Sequence, residues 1–320
     1  MSSWHETILD AASPQAAWQG IFAKLLDLAR TTPSPVELHN KTVEPDRLIA
    51  ESAWELWQEY PATAERTSDA LKAWWAGSSA SGHAVLILDG LSLRELTPLL
   101  GGASARGIEP VAVRVTGSEV PSETNQFAQS LGVPSRSSLA NDGAPGGFAL
   151  GTNGVYTDVL SGAFDGHIAS LPHVPNVFIW YDWPDILVHT HARAPDQVYN
   201  TAAAGLQSDG FWQFVDRLRT GRRLIITADH GYARSQLFST NESDPDVVSA
   251  LKDTFAASRC KPVLGPWARA LLPPVVFTHN GHHVVMGQRK WTVQGGFPYV
   301  CHGGLSLLEV AVPFIEFAAK

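Results

Sequence analysis

Several acidic and imidazole side chains in this sequence stand where a short apolar run gives way to a loop. Asp89 follows VLIL at 85–88, Asp182 and Asp185 follow VFIWY, and Asp229-His230 follow LIIT at 224–227. In an open α/β sheet, ligands bind beyond the carboxyl ends of the strands. Three runs that deliver carboxylates to that end would crowd like charges, so a cation must sit among them. A divalent metal is the economical choice. Asp229-His230-Gly231 offers two ligand types and then a residue that permits a sharp turn. Asp185 and His189 are four apart, so on a helical turn they share a face and could chelate one ion. Asp182 and His191 lie close enough to replace either. His302, in Cys-His-Gly-Gly, has small neighbours that allow close backbone approach. Each motif also has an ordinary reading: Asp89 as a helix N-cap, Asp185/His189 as a solvated pair, His302 as a turn or core histidine. The joint set favours the metal, and it requires Asp89, Asp229 and His230 to meet.

A nucleophile is available in Pro121-Ser122-Glu123-Thr124, just before the periodic stretch Phe127–Leu131. Thr124 at a helix start would be acidified by the helix dipole and by a nearby metal. Ser92, three residues after Asp89, is the rival. Trp180 and Trp183 could wall a pocket or pack in the core. Arg234 could reach a phosphate or lie on the surface. His279, His282 and His283 read as a hairpin turn before they read as a third metal site.

The elements that must position these groups are legible as periodicity. Residues 1 to about 80 read as a helical segment, with Trp18, Ile21, Phe22 and Leu25 at helix spacing, breaks at Pro33, Pro35 and Pro61, and a GSSASG link at 77–82. The strands expected after it are 85–88, VAVRV at 111–115, VFIWY, 224–227, a hairpin in 275–285 and a last strand at 310–317. One helix is expected over about 197–218 and another over 91–100. Alternating strands and helices imply an α/β fold, a doubly wound, mostly parallel sheet over 81–320 with the helical segment before it. Hydrophobic residues make up 44% of 320, enough for a real core, and the net charge of −8 argues against binding long nucleic acid through a basic surface. Two cysteines, Cys260 and Cys301, make no disulfide framework, and no stretch has the apolar length of a signal peptide or membrane span. A cytoplasmic location is the expectation.

Taken together, VLILDGLS, PSET, TADHGY and CHGGLSLLEVAVPFIEF, in that order, resemble the alkaline phosphatase superfamily and, within it, the PglZ domain, over about residues 83–320. The resemblance implies one metal on Asp89, Asp229, His230 and Thr124, and a second on Asp185, His189 and His302, with zinc the expected ion. It implies attack by Thr124 and a phospho-threonine intermediate, with Asn125 donating to a phosphoryl oxygen. The middle motif departs from the superfamily pattern, since Val188 stands where a glycine often precedes the histidine. The function implied is a phosphodiesterase on a nucleotide-like substrate, with a role in bacterial anti-phage defence and protein partners there. Alternatives are a weakly active or non-catalytic module in such a complex, or a phosphomonoesterase or sulfatase. PSET lacks the cysteine that many sulfatases modify.

Overall fold

The apolar run that ends at Asp89 is covered on both faces, and the rest of the chain is arranged about it. The computed structural model describes residues 3–77, 81–151, 154–267, 269 and 271–320. Five helices come first: α1 (Trp4–Ile8), α2 (Pro14–Thr31), α3 (Pro35–Ser52), α4 (Glu55–Thr63) and α5 (Thr67–Ala76). There follow β1 (Gly82–Leu88), α6 (Leu96–Ser104), β2 (Ala112–Gly117), α7 (Thr124–Ser130), β3 (Tyr156–Leu160), β4 (Asn176–Tyr181), α8 (Asp185–Thr190), α9 (Pro195–Gln207), α10 (Asp209–Arg219) and β5 (Arg222–Thr227). The remainder is β6 (Ala233–Arg234), β7 (Thr240–Asn241), α11 (Pro245–Phe255), β8 (Cys260–Pro262), β9 (Val276–His279), β10 (His282–Val285), β11 (Arg289–Lys290), β12 (Val300–Cys301), α12 (Leu307–Val310) and β13 (Ala311–Phe317).

The main sheet has the order β2-β13-β5-β1-β4-β3. β1 pairs in parallel with β5 and β4, and β4 with β3, while β13 runs antiparallel to β2 and β5. In β1, Leu86 and Leu88 enter one core and Val85 and Ile87 another. A strand alternates its side chains between faces, so a run apolar at every position is what a sheet covered on both sides needs. The fold is α/β with a doubly wound, mostly parallel sheet. Because β13 is reversed, its amino end lies beside the carboxyl ends of the other five strands.

The first helices are built into this core. Trp18 packs on Trp57 and Tyr60 with ring centroids 4.9 Å apart in each pair, and Leu71 and Trp75 of α5 join the opposite face. Tyr60 donates to the Ser118 carbonyl at 2.9 Å, and Arg66 pairs with Glu119 at 3.0 Å. The helical segment therefore covers the sheet and grips the residues that lead from β2 to Thr124.

Some sequence expectations change. Pro61 lies inside α4, not at a break. The helix expected over about 197–218 is two, parted at Ser208, whose ψ of 152° is extended and whose hydroxyl caps Phe211 N. The helix expected after Asp89 is capped by Ser92, through a 3-10 turn, and begins at Leu96. β3 was not anticipated. The GSSASG link falls partly outside the described residues. Asn280 and Gly281, both at positive φ, make the expected hairpin turn.

A buried polar network fastens the chain before β13. Arg259 forms two hydrogen bonds to Glu309, at 2.7 and 2.8 Å, and Glu309 also accepts from Gly304 N and Ser306. From α3, Asp46 accepts from Leu307 N at 2.8 Å and from Gln288 at 2.6 Å. Burial lifts the Asp46 carboxyl from 3.8 to about 7, against those two hydrogen bonds. The folded protein thus holds a proton that the unfolded chain releases across that interval. Stability is greatest below it, falls as pH rises through it, and levels above it. Glu95, lifted by burial to about 7, adds a slope of the same sign. Asp46→Asn should flatten this fall in urea unfolding measured between about pH 4 and 7. An unchanged slope would reject Asp46 as its source.

Candidate functional site

Four strand ends meet at one edge of the sheet. Asp89 follows β1, Asp185 opens α8 four residues after β4, and Asp229-His230 follow β5. Thr124 opens α7 after the β2 exit. His302 comes from the loop before α12, which the reversed β13 brings to the same edge. Gly90 makes the turn at Asp89 with φ +74°, and its N–H donates to Asp229 Oδ1 at 3.0 Å. A Cβ there would lie 3.2 Å from the Asp185 side chain, so this glycine lets two aspartates approach.

Asp89, Asp229 and His230 each offer a ligand atom within 4.8 Å of the others, and Asp185, His230 and His302 do the same. His230 Nε2 lies 3.6 Å from Asp89 Oδ1 and 3.5 Å from Asp229 Oδ2. Its Nδ1 is 3.0 Å from the Gly231 carbonyl, which can only accept, so Nδ1 carries a hydrogen and Nε2 is the nitrogen that faces the acids. Thr124 Oγ1 lies 3.3 Å from Asp89 Oδ1 and 3.4 Å from His230 Nε2. His189 bonds Asp185 at 3.1 Å from a largely exposed position. His302 Nε2 is 3.9 Å from Asp185, and its ring stacks on His230 at 4.4 Å.

The electrostatics follow from this crowding. Burial, and then the Asp229 and Asp185 carboxylates, push the Asp89 carboxyl well above its usual range, while Arg136 pulls it back. Burial would also raise Asp185, but its hydrogen bond to His189 and the nearby His230 and His302 hold it below the usual range. His302 is lifted to about 10: burial works against its charged form, but Glu123 and the aspartates outweigh burial.

The residues left open by the sequence sort themselves here. Asp182, His191 and also His189 fall outside both three-residue groups, His230 standing where His189 was expected, although His189 touches Asp185. Val188 is buried with Val198, Tyr232 and Val300, which keeps α8 seated while Asp185 and His189 turn to the site. Asn125 is exposed next to Thr124. Ser92 is fully buried, and its hydroxyl accepts from Arg94 N, so the rival nucleophile is a cap. Trp180 is buried edge-on to Phe127, and Trp183 packs on Phe164. Arg234 is buried and paired with Asp196 at 2.9 Å, not at the surface. Among the described residues, the hairpin histidines form no three-ligand group.

Two side chains at the site went unread in the sequence. Arg136 forms an ion pair with Asp89 Oδ2, while Oδ1 is the oxygen that Thr124 meets. Glu123 lies 3.4 Å from His302 Nδ1. Neither stands at a strand end, and no spacing rule connects them to their partners.

No family model matches the chain, and no curated protein matches it. Among solved structures it is similar to phosphonoacetate hydrolase from Sinorhizobium meliloti in complex with phosphonoformate, at 14% identity and a TM-score of 0.41, covering 75% of this chain and 90% of that one. It is also similar to murine ectonucleotide pyrophosphatase/phosphodiesterase 5, at 10% identity and a TM-score of 0.43, covering 74% and 88%. An inactive form of that murine protein in complex with AMP gives 12% identity and 0.42 over the same shares. No helix among the described residues is long and apolar enough to cross a membrane.

Gly90→Ala tests the packing of the acids. Positive φ alone should cost about 1–2 kcal/mol in urea unfolding, and the added methyl should press Asp185 away from the Asp89 turn. Unchanged stability would show that the Asp89 turn is not held in this geometry.

Proposed function

We propose that this chain is a two-metal phosphoesterase with Thr124 as its nucleophile. One observation carries the reading: a hydroxyl at a helix start lies within 3.4 Å of Asp89 and His230, inside a cluster of acids and imidazoles. The side chains suit divalent cations. Asp185 Oδ1 and Asp229 Oδ2 are buried without a hydrogen-bond partner, a costly state for anionic oxygens that a cation relieves. Asp89, Asp229, His230 and Thr124 would hold one ion, and Asp185, His189 and His302 the other. Mixed carboxylate and imidazole sets suit zinc. Such a pair, when bound, neutralises the carboxylates and makes a hydroxyl or water more acidic.

The chain's own residues supply the rest. Thr124 Oγ1 directs its hydrogen at Asp89 Oδ1. Its oxygen bonds to phosphorus as the bond to the leaving alcohol breaks. The alcohol takes up a proton equivalent to the one Thr124 gives up, and phospho-threonine remains. Water then attacks the same phosphorus, the bond to Oγ1 breaks, and Thr124 regains its hydrogen. Asn125, exposed beside Thr124, would donate to a phosphoryl oxygen. A nucleotide-like diester is the first substrate class, supported by the PglZ-like motifs. The same motifs support a cytoplasmic role in bacterial anti-phage defence with protein partners. A monoester is the second reading, favoured by Arg136, whose guanidinium would meet a dianionic phosphoryl group better than a monoanionic one.

Zinc-loaded protein should hydrolyse bis-p-nitrophenyl phosphate, and Thr124→Ala should lose several orders of magnitude in kcat. Chelation should abolish turnover and lower Tm, since bound metal stabilises only the folded chain. Turnover of neither diester nor monoester in the presence of zinc would reject catalysis and leave the non-catalytic module. Arg136→Ala should weaken kcat/KM for p-nitrophenyl phosphate at least about tenfold, the worth of one charge-assisted hydrogen bond. An equal loss on the diester would remove the case for the monoester.

A further inference from the structure

Ser122, Glu123 and Thr124 each touch a different part of the site. Ser122 Oγ donates to the Gly304 carbonyl at 2.9 Å and accepts from Gly303 N at 3.0 Å. Glu123 Oε1 lies 3.4 Å from His302 Nδ1 and accepts from the Cys260 thiol at 3.2 Å. Gly303 has φ +93°, and a Cβ there would lie 2.5 Å from Glu123 Oε1 and 3.0 Å from Cys260 Sγ. The loop that carries His302 is therefore pressed against the segment that carries Thr124, and a side chain at residue 303 would push Glu123 off the imidazole.

We propose that Glu123 is a positioning residue that orients His302 as a metal ligand, and so ties the second metal to the nucleophile one peptide away. This rests on the metal reading given above. At 3.4 Å Glu123 and His302 Nδ1 make an ion-pair contact and not a closed hydrogen bond. An ionised carboxylate only accepts, so closing that contact keeps a hydrogen on Nδ1. Nε2, on the side of Asp185, is then the nitrogen that exchanges its proton for a cation. A carboxylate behind a ligating imidazole also makes that ligand more basic and fixes its plane. Glu123 is placed for this, since its side chain meets His302 and Cys260 and is otherwise 32% exposed.

The test compares zinc affinity, by chelator competition, in the full chain and in Glu123→Ala and Glu123→Gln. Unfolding of the metal-free proteins runs alongside, with proton NMR of cobalt(II)-loaded samples. Glu123→Ala should weaken one of the two zinc equivalents by about 10–100-fold and remove one shifted, exchangeable histidine N–H signal. Glu123→Gln, whose amide oxygen still accepts, should recover part of the affinity and restore the signal, which a merely structural role would not do. Two zinc equivalents bound by Glu123→Ala as tightly as by the unsubstituted chain would overturn the role of Glu123 and leave the metal reading standing. So would a loss of metal-free stability with affinity unchanged. No zinc uptake by the unsubstituted chain would overturn the metal reading, and this proposal with it.

Discussion

Three crowded aspartates, Asp89 and Asp229 fully buried and Asp185 partly so, set the terms for the rest of the site. Asp89, Asp185 and Asp229 are brought together by β1, β4 and β5, adjacent parallel strands whose carboxyl ends lie side by side. Isolated carboxylates in such a place would take up protons or fail to fold. The chain surrounds them with compensating groups: the Gly90 N–H on Asp229, Arg136 on Asp89, and His189 on Asp185. Two carboxylate oxygens remain without a donor, which leaves room in the electrostatics for cations.

A fixed backbone is what permits that crowding. Glu309 and Arg259 form a fully buried ion pair whose remaining bonds reach Gly304, Ser306 and Gly287. Removing one partner of such a pair leaves an uncompensated charge, so the loop bearing His302 is held firmly in one arrangement. Asp46 ties α3 to the same loop, and Tyr60 and Arg66 tie α4 and the start of α5 to the exit from β2. The helices before β1 thus brace both the nucleophile and the last histidine, although they supply no side chain to the site.

The sheet was legible because a strand covered on both faces has to be apolar at each position, and runs such as VLIL and LIIT announce that directly. β3 was missed because YTDVL carries polar residues on an edge strand. The division between α9 and α10 rests on one serine that serves as a cap. Pro61 misled because the cost of a proline inside a helix is here borne by a short helix whose Leu56, Trp57 and Tyr60 are buried in the core.

The sequence by itself determined which residue types the strands would deliver: acids after β1, β4 and β5, a hydroxyl at the start of α7, and a histidine followed by two glycines. Local rules decide such things, since strand length, turn chemistry and capping depend on near neighbours. Tertiary structure alone decided which of Asp182, Asp185, His189 and His191 reach the cluster, that Ser92 turns away from it, and that Arg136 and Glu123 belong to it. Those outcomes depend on the reversal of β13 and on contacts between residues as far apart as Asp46 and Leu307. The energy of such contacts is settled only when distant segments pack, and no spacing along the chain encodes it.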